Sequence, residues 1–374
     1  MSATSRDLSP QLHAEQAALG SCLLDPRQLA LLGPWLEPRH FYRPAHVAFF
    51  ALLLDHQAAG QRATTEDARR DWALEVIGVA RRTIPGFAAS YGHTLVAACP
   101  SSAHAAAYGR MVLETAVRRS LEEHAHRLLA AAESGSVQDT LELTGTLHAV
   151  IERLAAAWGP IETRSRHPLP QAAPSCDGRA AQAAWDHQRM LLSTLIGAAG
   201  QVGPVASWLT EADFVDDGHR VVFQAMAALD HRGEPVDELT VLWEVQRRGA
   251  LAEGTISVAQ VRDLLDPVPG DPAYWAEQVL HCSLLRASAT SAGIVRVMAL
   301  DASVGAGRLL GASLRALEPA DRLRERHRAA TGTSGPTRSG PLVLGTRRQD
   351  AATRSSTPAD RPNHPAAEPA RPRR

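Results

Sequence analysis

Residues 35–60 read WLEPRHFYRPAHVAFFALLLDHQAAG, and residues 208–233 read WLTEADFVDDGHRVVFQAMAALDHRG. The two strings align without a gap, at a constant offset of 173 in the numbering. Six of the 26 positions are identical: Trp35/Trp208, Leu36/Leu209, Phe41/Phe214, His46/His219, Phe50/Phe223 and Gly60/Gly233. About two identities are expected by chance at ordinary residue frequencies. Self-similarity over such a stretch marks one structural unit used twice. His46 and Phe50 are one helical turn apart and share a face. Phe41 precedes that helix by a short connection and folds back onto it, Trp35 closes the other side, and Gly60 is placed to end the helix. The expected core is therefore Trp35, Phe41, His46 and Phe50 in the first copy, and Trp208, Phe214, His219 and Phe223 in the second. Both histidines read as structural groups that bridge a buried face to a backbone carbonyl. Neither has a second metal ligand at a suitable spacing.

Outward from these strings the repeat continues. Val112-Leu113-x5-Arg119 recurs as Val279-Leu280-x5-Arg286 at an offset of 167, and Gln16 and Leu19 recur as Gln188 and Leu191 at 172. Ser9-Pro10 is an N-cap followed by proline at the first helical position. Leu12, Glu15, Gln16, Leu19 and Leu23 follow at spacings of three and four. Pro44 to Ala58 predicts a helix carrying Val47, Phe50, Leu53 and Leu54 on one side, and Thr64-Thr65-Glu66 opens another. Ser101 to Ala132 predicts a long helix that stops at Ser134-Gly135, with Val137 to Trp158 returning against it. Alternating β-branched residues are scarce. The expectation is an all-α protein with one copy at 9–158, a Pro-rich linker at 159–181, a second copy at 182–329 and a disordered Arg- and Pro-rich tail at 330–374.

Composition narrows the function. The chain has 374 residues and a net charge of −1, so no overall basic field points to nucleic acid. It contains no lysine; all 39 basic residues are arginine. An ordinary Walker A loop and Schiff-base catalysis by lysine are thereby excluded. The cysteines at 22, 99, 176 and 282 are scattered, without a C-x-x-C pair, as in a reduced cytoplasmic protein. No signal-peptide core and no run of 18 apolar residues is found.

Several residues of the first copy resemble the N-terminal, or collar, domain of DnaB-type replicative helicases. These are Ala14-Glu15-Gln16-Ala17, Leu19-Gly20, Leu23-Leu24-Asp25-Pro26, Phe41-Tyr42, His46, Phe50, Pro100-Ser101-Ser102, Tyr108, Val112 and Arg119. The second copy lacks the Glu-Gln and Leu-Gly pairs. It keeps Gly233-Glu234-Pro235-Val236-Asp237, Thr240, Arg248-Gly249 and Leu251, which are similar to the family's middle section. The resemblance implies a helical globule followed by a helical hairpin. In the family such domains form a collar, pair between subunits and bind primase, and a RecA-like ATPase follows them. Here a second collar-like copy follows the first.

The resemblance implies a non-enzymatic, replication-linked interaction protein whose partner is a primase or a replicative helicase, with self-association in addition. The long hairpins, Ser101 to Trp158 and Asp271 to about Ala316, are the expected partner surface. Leu121 and Leu128, spaced seven apart on one face, are the candidate interface residues. Two alternatives remain beside this reading. One is a DNA-binding accessory factor whose tail, with eight Arg against three acidic residues, touches phosphates through Arg347, Arg348, Arg371, Arg373 and Arg374. The other is a helicase-family subunit lacking its motor. No cofactor, metal or catalytic set is expected. Gly305-x-Gly307-x-x-x-Gly311 has the wrong spacing for a dinucleotide loop. His124-x-His126 points to two helix faces, and His281-Cys282 has no orienting Asp or Asn. Glu37, Glu66, Asp67 and Asp71 read as solvated surface.

Overall fold

In the computed structural model, residues 9–161, 168–171 and 178–332 are described. The first copy runs through α1 (Pro10–Leu24), α2 (Gln28–Leu32), α3 (Pro44–Asp55), α4 (Gln57–Arg62), α5 (Glu66–Thr83) and α6 (Ala89–Ala97). It ends in a hairpin of α7 (Ala105–Glu133) and α8 (Val137–Trp158). The second runs through α9 (Gly178–Gly197), α10 (Val202–Ala206), α11 (Asp217–His231), α12 (Glu238–Arg247) and α13 (Val258–Leu264). Its hairpin is α14 (Pro272–Leu300) and α15 (Ala306–Gly332). Among the described residues there is no strand, so the protein is all-α.

The offset between the two strings is a structural register. The short 3₁₀ turns Pro38–His40 and Glu211–Asp213 are related by that same offset, and so are the starts of α3 and α11. Their capping follows the chemistry of each site. Ser9 and Thr65 each accept a bond from the first turn of the helix they open. Asp216 caps α11, and Asp237 with Thr240 forms a capping box on α12. Gly233 takes the left-handed φ of 67° beyond α11. Gly60 does not play that part. The chain breaks at His56, between α3 and α4, and Gly60 is buried inside α4. A Cβ there would meet Pro26 Cβ at 2.7 Å and the Trp72 ring at 2.8 Å. Its identity with Gly233 therefore hides two reasons for glycine.

The interior departs from expectation at a few positions. Phe41, Phe50, Phe214 and Phe223 are buried, each Phe pair in ring contact at 4.9 and 4.8 Å. Trp35 and Trp208 are only half-buried, and the adjoining Leu36 and Leu209 fill the core. On α3 the buried residues are His46, Phe49, Phe50 and Leu53, so Phe49 takes the inner position expected for Val47. The linker is shorter than expected because α9 begins at Gly178. Leu169 within it packs against the first core. The second hairpin continues past Ala316 to Gly332. Arg347, Arg348, Arg371, Arg373, Arg374 and Cys176 lie outside the described residues.

One close approach fixes each globule. Gly20 lies in the middle of α1, where a Cβ would stand 2.0 Å from the Leu95 carbonyl oxygen on α6. At the matching position of the second copy, Ser193 donates from its hydroxyl to the Leu264 carbonyl at 2.9 Å. Backbone nearness in one copy is thus a hydrogen bond in the other. Gly20→Ala should force α1 and α6 apart at a cost of roughly 1–3 kcal/mol, the usual penalty of overpacking. Ser193→Ala should cost about 1 kcal/mol, the net worth of one hydrogen bond. Thermal denaturation of the two variants checks the order.

Candidate functional site

Neither hairpin is wide enough to bury its own apolar stripe. The two solve this together. α7 packs along α14 and α8 along α15, with the diagonal pairs barely touching, so the hairpins form a four-helix bundle. The pairing is antiparallel. Trp158, ending α8, overlies Gly307 near the start of α15, while His148, earlier on α8, bonds Asp321, later on α15, at 2.7 Å. Leu121, Leu128, Leu147 and Ile151 share one buried cluster with Ala292, Val295, Leu309 and Leu317. Thr144 and Ser288 hydroxyls meet inside at 3.4 Å.

Leu121 and Leu128 were expected to face a partner; both are 0% exposed within the chain's own bundle. Helical periodicity finds an apolar stripe but does not say whether its cover comes from the same chain. Arg118 locks the arrangement from α7. Its guanidinium donates to the carbonyls of Ala299, Asp301 at 2.7 Å, Ala302 and Val304, which are the free acceptors at the end of α14 and in the turn beyond it. Gly305 lies in the turn between α14 and α15, and Gly307 at the start of α15.

Inside each globule the repeated histidine is a pin, but its partner is not a carbonyl. His46 Nδ1 donates to the Glu15 carboxylate at 2.6 Å and Nε2 meets the Tyr91 hydroxyl at 2.7 Å. His219 Nδ1 faces Gln188 Oε1 at 3.2 Å and its ring lies 5.0 Å from Trp185. Glu15 and Gln188 therefore correspond, and the register of α1 against α9 is 173, the same as that of the two strings, not 172. The Glu15–Gln188 difference concealed it, because Gln16 offered a nearer identity. Arg119 and Arg286 also repeat: the first donates to the carbonyls of Arg39, His40 and Phe41, the second to those of Ala212 and Asp213. Each arginine fastens its hairpin to the 3₁₀ turn of its own globule.

Three other sequence candidates, His124, Glu66 and Asp67, play ordinary helix-surface roles. His124 bonds the Ser120 carbonyl at 2.7 Å, one turn back on α7. Glu66 and Asp67 sit in the first turn of α5, where they complement the helix dipole. The sequence reading did not single out Leu239 and Trp243, one turn apart on α12 and 74% and 66% exposed. Val241 and Val245 on the opposite face of α12 are fully buried, which is why the outer face carries the unpaired apolar groups. Among the described residues, no helix is long and apolar enough to cross a membrane.

Comparison with known proteins places both copies. Residues 8–114 and 182–279 match the family described as DnaB-like helicase N terminal domain. The replicative DNA helicase DnaB of Mycobacterium leprae (strain TN) is 33% identical over 157 residues, 40% of this chain and 25% of the relative. That of Treponema pallidum (strain Nichols) is 32% identical over 136 residues, 35% of this chain and 29% of the relative. That of Geobacillus stearothermophilus is 34% identical over 123 residues, 31% of this chain and 25% of the relative. The matches thus span about a quarter of the length of these relatives. No solved structure gives a significant match.

Two outcomes follow from the geometry. Leu121→Glu should destabilise the whole chain by about 3–5 kcal/mol, the cost of a buried charge without a partner; a shifted denaturant midpoint reads it. Stability should also fall on acidification. Burial holds His40 down at about 4, and likewise depresses His219 and His281. The unfolded chain takes up these protons near pH 6.5 and the folded chain resists them. Stability is therefore full above pH 6.5 and drops as the pH falls from there toward 4, by at most about 1.4 kcal/mol per pH unit for each histidine. His40→Gln should flatten that slope in urea melts taken at pH 7, 6 and 5.

Proposed function

Because the chain belongs to the family of DnaB-like helicase N-terminal domains, we propose that it is a non-enzymatic replication protein that acts as a preassembled pair of collar domains and binds a replicative helicase or its primase. The observation that supports this is the intrachain four-helix bundle. A lone collar domain has a hairpin to offer to a neighbour; here each hairpin is covered by the other. A linker of this length holds the two copies at millimolar effective concentration, so the pair persists at any dilution. Three such chains would present six collar domains.

With the hairpin seam filled, partner contact falls to the globules. The exposed Leu239–Trp243 face of α12 has the composition of an interface anchor, a large aromatic beside an aliphatic residue. The absence of lysine removes the group that reaches the nucleotide phosphates in a Walker A loop, so the chain itself is assigned no ATP turnover.

Size-exclusion chromatography with light scattering, using the chain together with the host's replicative helicase and then its primase, tests the proposal. One of the two should co-elute with it, and the chain alone should hydrolyse no ATP. Trp243→Ala should leave the melting temperature unchanged and weaken the complex by roughly tenfold or more, as for an aromatic hot spot. Failure to bind either protein, or ATP turnover by the recombinant chain, overturns the reading.

A further inference from the structure

Glu277 and His281 lie one turn apart on α14, and His327 faces them from α15. One ligand atom from each falls within 4.8 Å of the other two. His281 Nε2 and His327 Nε2 are 3.1 Å apart, and His281 Nε2 and Glu277 Oε1 are 3.8 Å apart. Two ligands bound to one Zn²⁺ at 2.0–2.1 Å with tetrahedral angles are separated by about 3.3 Å. The observed separations bracket that edge, so a small shift of rotamers brings all three onto one ion.

We propose that Glu277, His281 and His327 form a site for a divalent borderline transition ion, Zn²⁺ foremost, that staples α14 to α15. Two imidazoles and one carboxylate are a donor set suited to Zn²⁺ and leave a fourth position for water. The i, i+4 spacing presents Glu277 and His281 on one face, and the antiparallel return of α15 brings His327 opposite. Burial holds both imidazoles toward the neutral form that a metal requires. The Cys282 thiol faces α9 instead, 3.5 Å from His187 Nδ1, and stands outside the set.

The repeat gives the site a counterpart. At the hairpin offset of 167, Glu277 corresponds to Arg110. His327 stands late on α15, as Trp158 stands at the end of α8. In the first copy this joint is closed by Arg110, whose guanidinium lies 5.2 Å from the Trp158 ring and donates to the Trp158 carbonyl. The position that makes a cation–π contact in one hairpin thus carries a carboxylate of the proposed ligand set in the other.

The test uses the untagged full chain, stripped with a chelator and titrated with Zn²⁺ by calorimetry. The expected result is one tight site per chain, a raised melting temperature with zinc, and visible absorption bands of a four-coordinate ion when Co²⁺ is substituted. His281→Ala and His327→Ala should match the stripped wild type in melting temperature. Each should weaken binding by more than the roughly 10–100-fold that loss of an outer partner costs. Should either not fold, Glu277→Gln supplies the comparison. Absence of a stoichiometric site in the wild type overturns the proposal, as does unchanged affinity in the variants.

Discussion

The structure depends on the mutual cover of two thin helical hairpins. A hairpin has two helices and therefore one seam; each of its helices still carries apolar side chains that face away from that seam. Placing the hairpins antiparallel closes a four-helix interior in which Leu121, Leu128, Val295 and Leu317 are all fully buried. The apolar area removed from water, at about 25 cal/mol per Å², comes from residues distant in sequence but tethered in one chain. The ordering cost is correspondingly smaller than for two separate chains. Arg118 adds direction to this non-directional force. The carbonyls it collects belong to one turn of the opposite hairpin, so a slip of register by one helical turn would leave them unpaired.

What was legible in the sequence was what repeats by identity. Phe41, Phe50 and Arg119 announce their roles because the same atoms are needed twice, for ring packing and for capping a 3₁₀ turn. What was not legible repeats by role with different residues. Glu15 and Gln188 both present an acceptor to a histidine, and Gly20 and Ser193 both meet a carbonyl, yet neither pair looks alike. Gly60 and Gly233 are the reverse case, alike in letter and different in cause. A substitution that conserves a contact erases the trace on which alignment relies, and an identity without a shared contact supplies a false one.

The candidate interface shows a second limit. The apolar stripe of α7 is plain in the sequence, and its side chains are indeed covered, but by the same chain. Nothing in a periodic pattern distinguishes cover in cis from cover in trans, because both satisfy the same burial. The exposed pair on α12 escaped notice for a related reason. Leu239 and Trp243 sit in a helix whose Val241 and Val245 also look apolar, so the pattern reads as one broad stripe. Only the packing shows which half is inside.

These two limits together bear on how a duplicated domain changes. With both hairpins in one chain, equivalent joints are closed by different residues. The first hairpin keeps Arg110 between Trp35 and Trp158, at 4.6 and 5.2 Å from the two rings. The second has Glu277 at the position of Arg110, beside His281 and His327. The globules diverge in the same sense: the first bonds His46 to a carboxylate, the second bonds His219 to an amide. In these pairs the joint stays in place while the residues that close it differ. The surface has no such requirement, and it is there, on α12, that the second copy carries an aromatic face the core does not use.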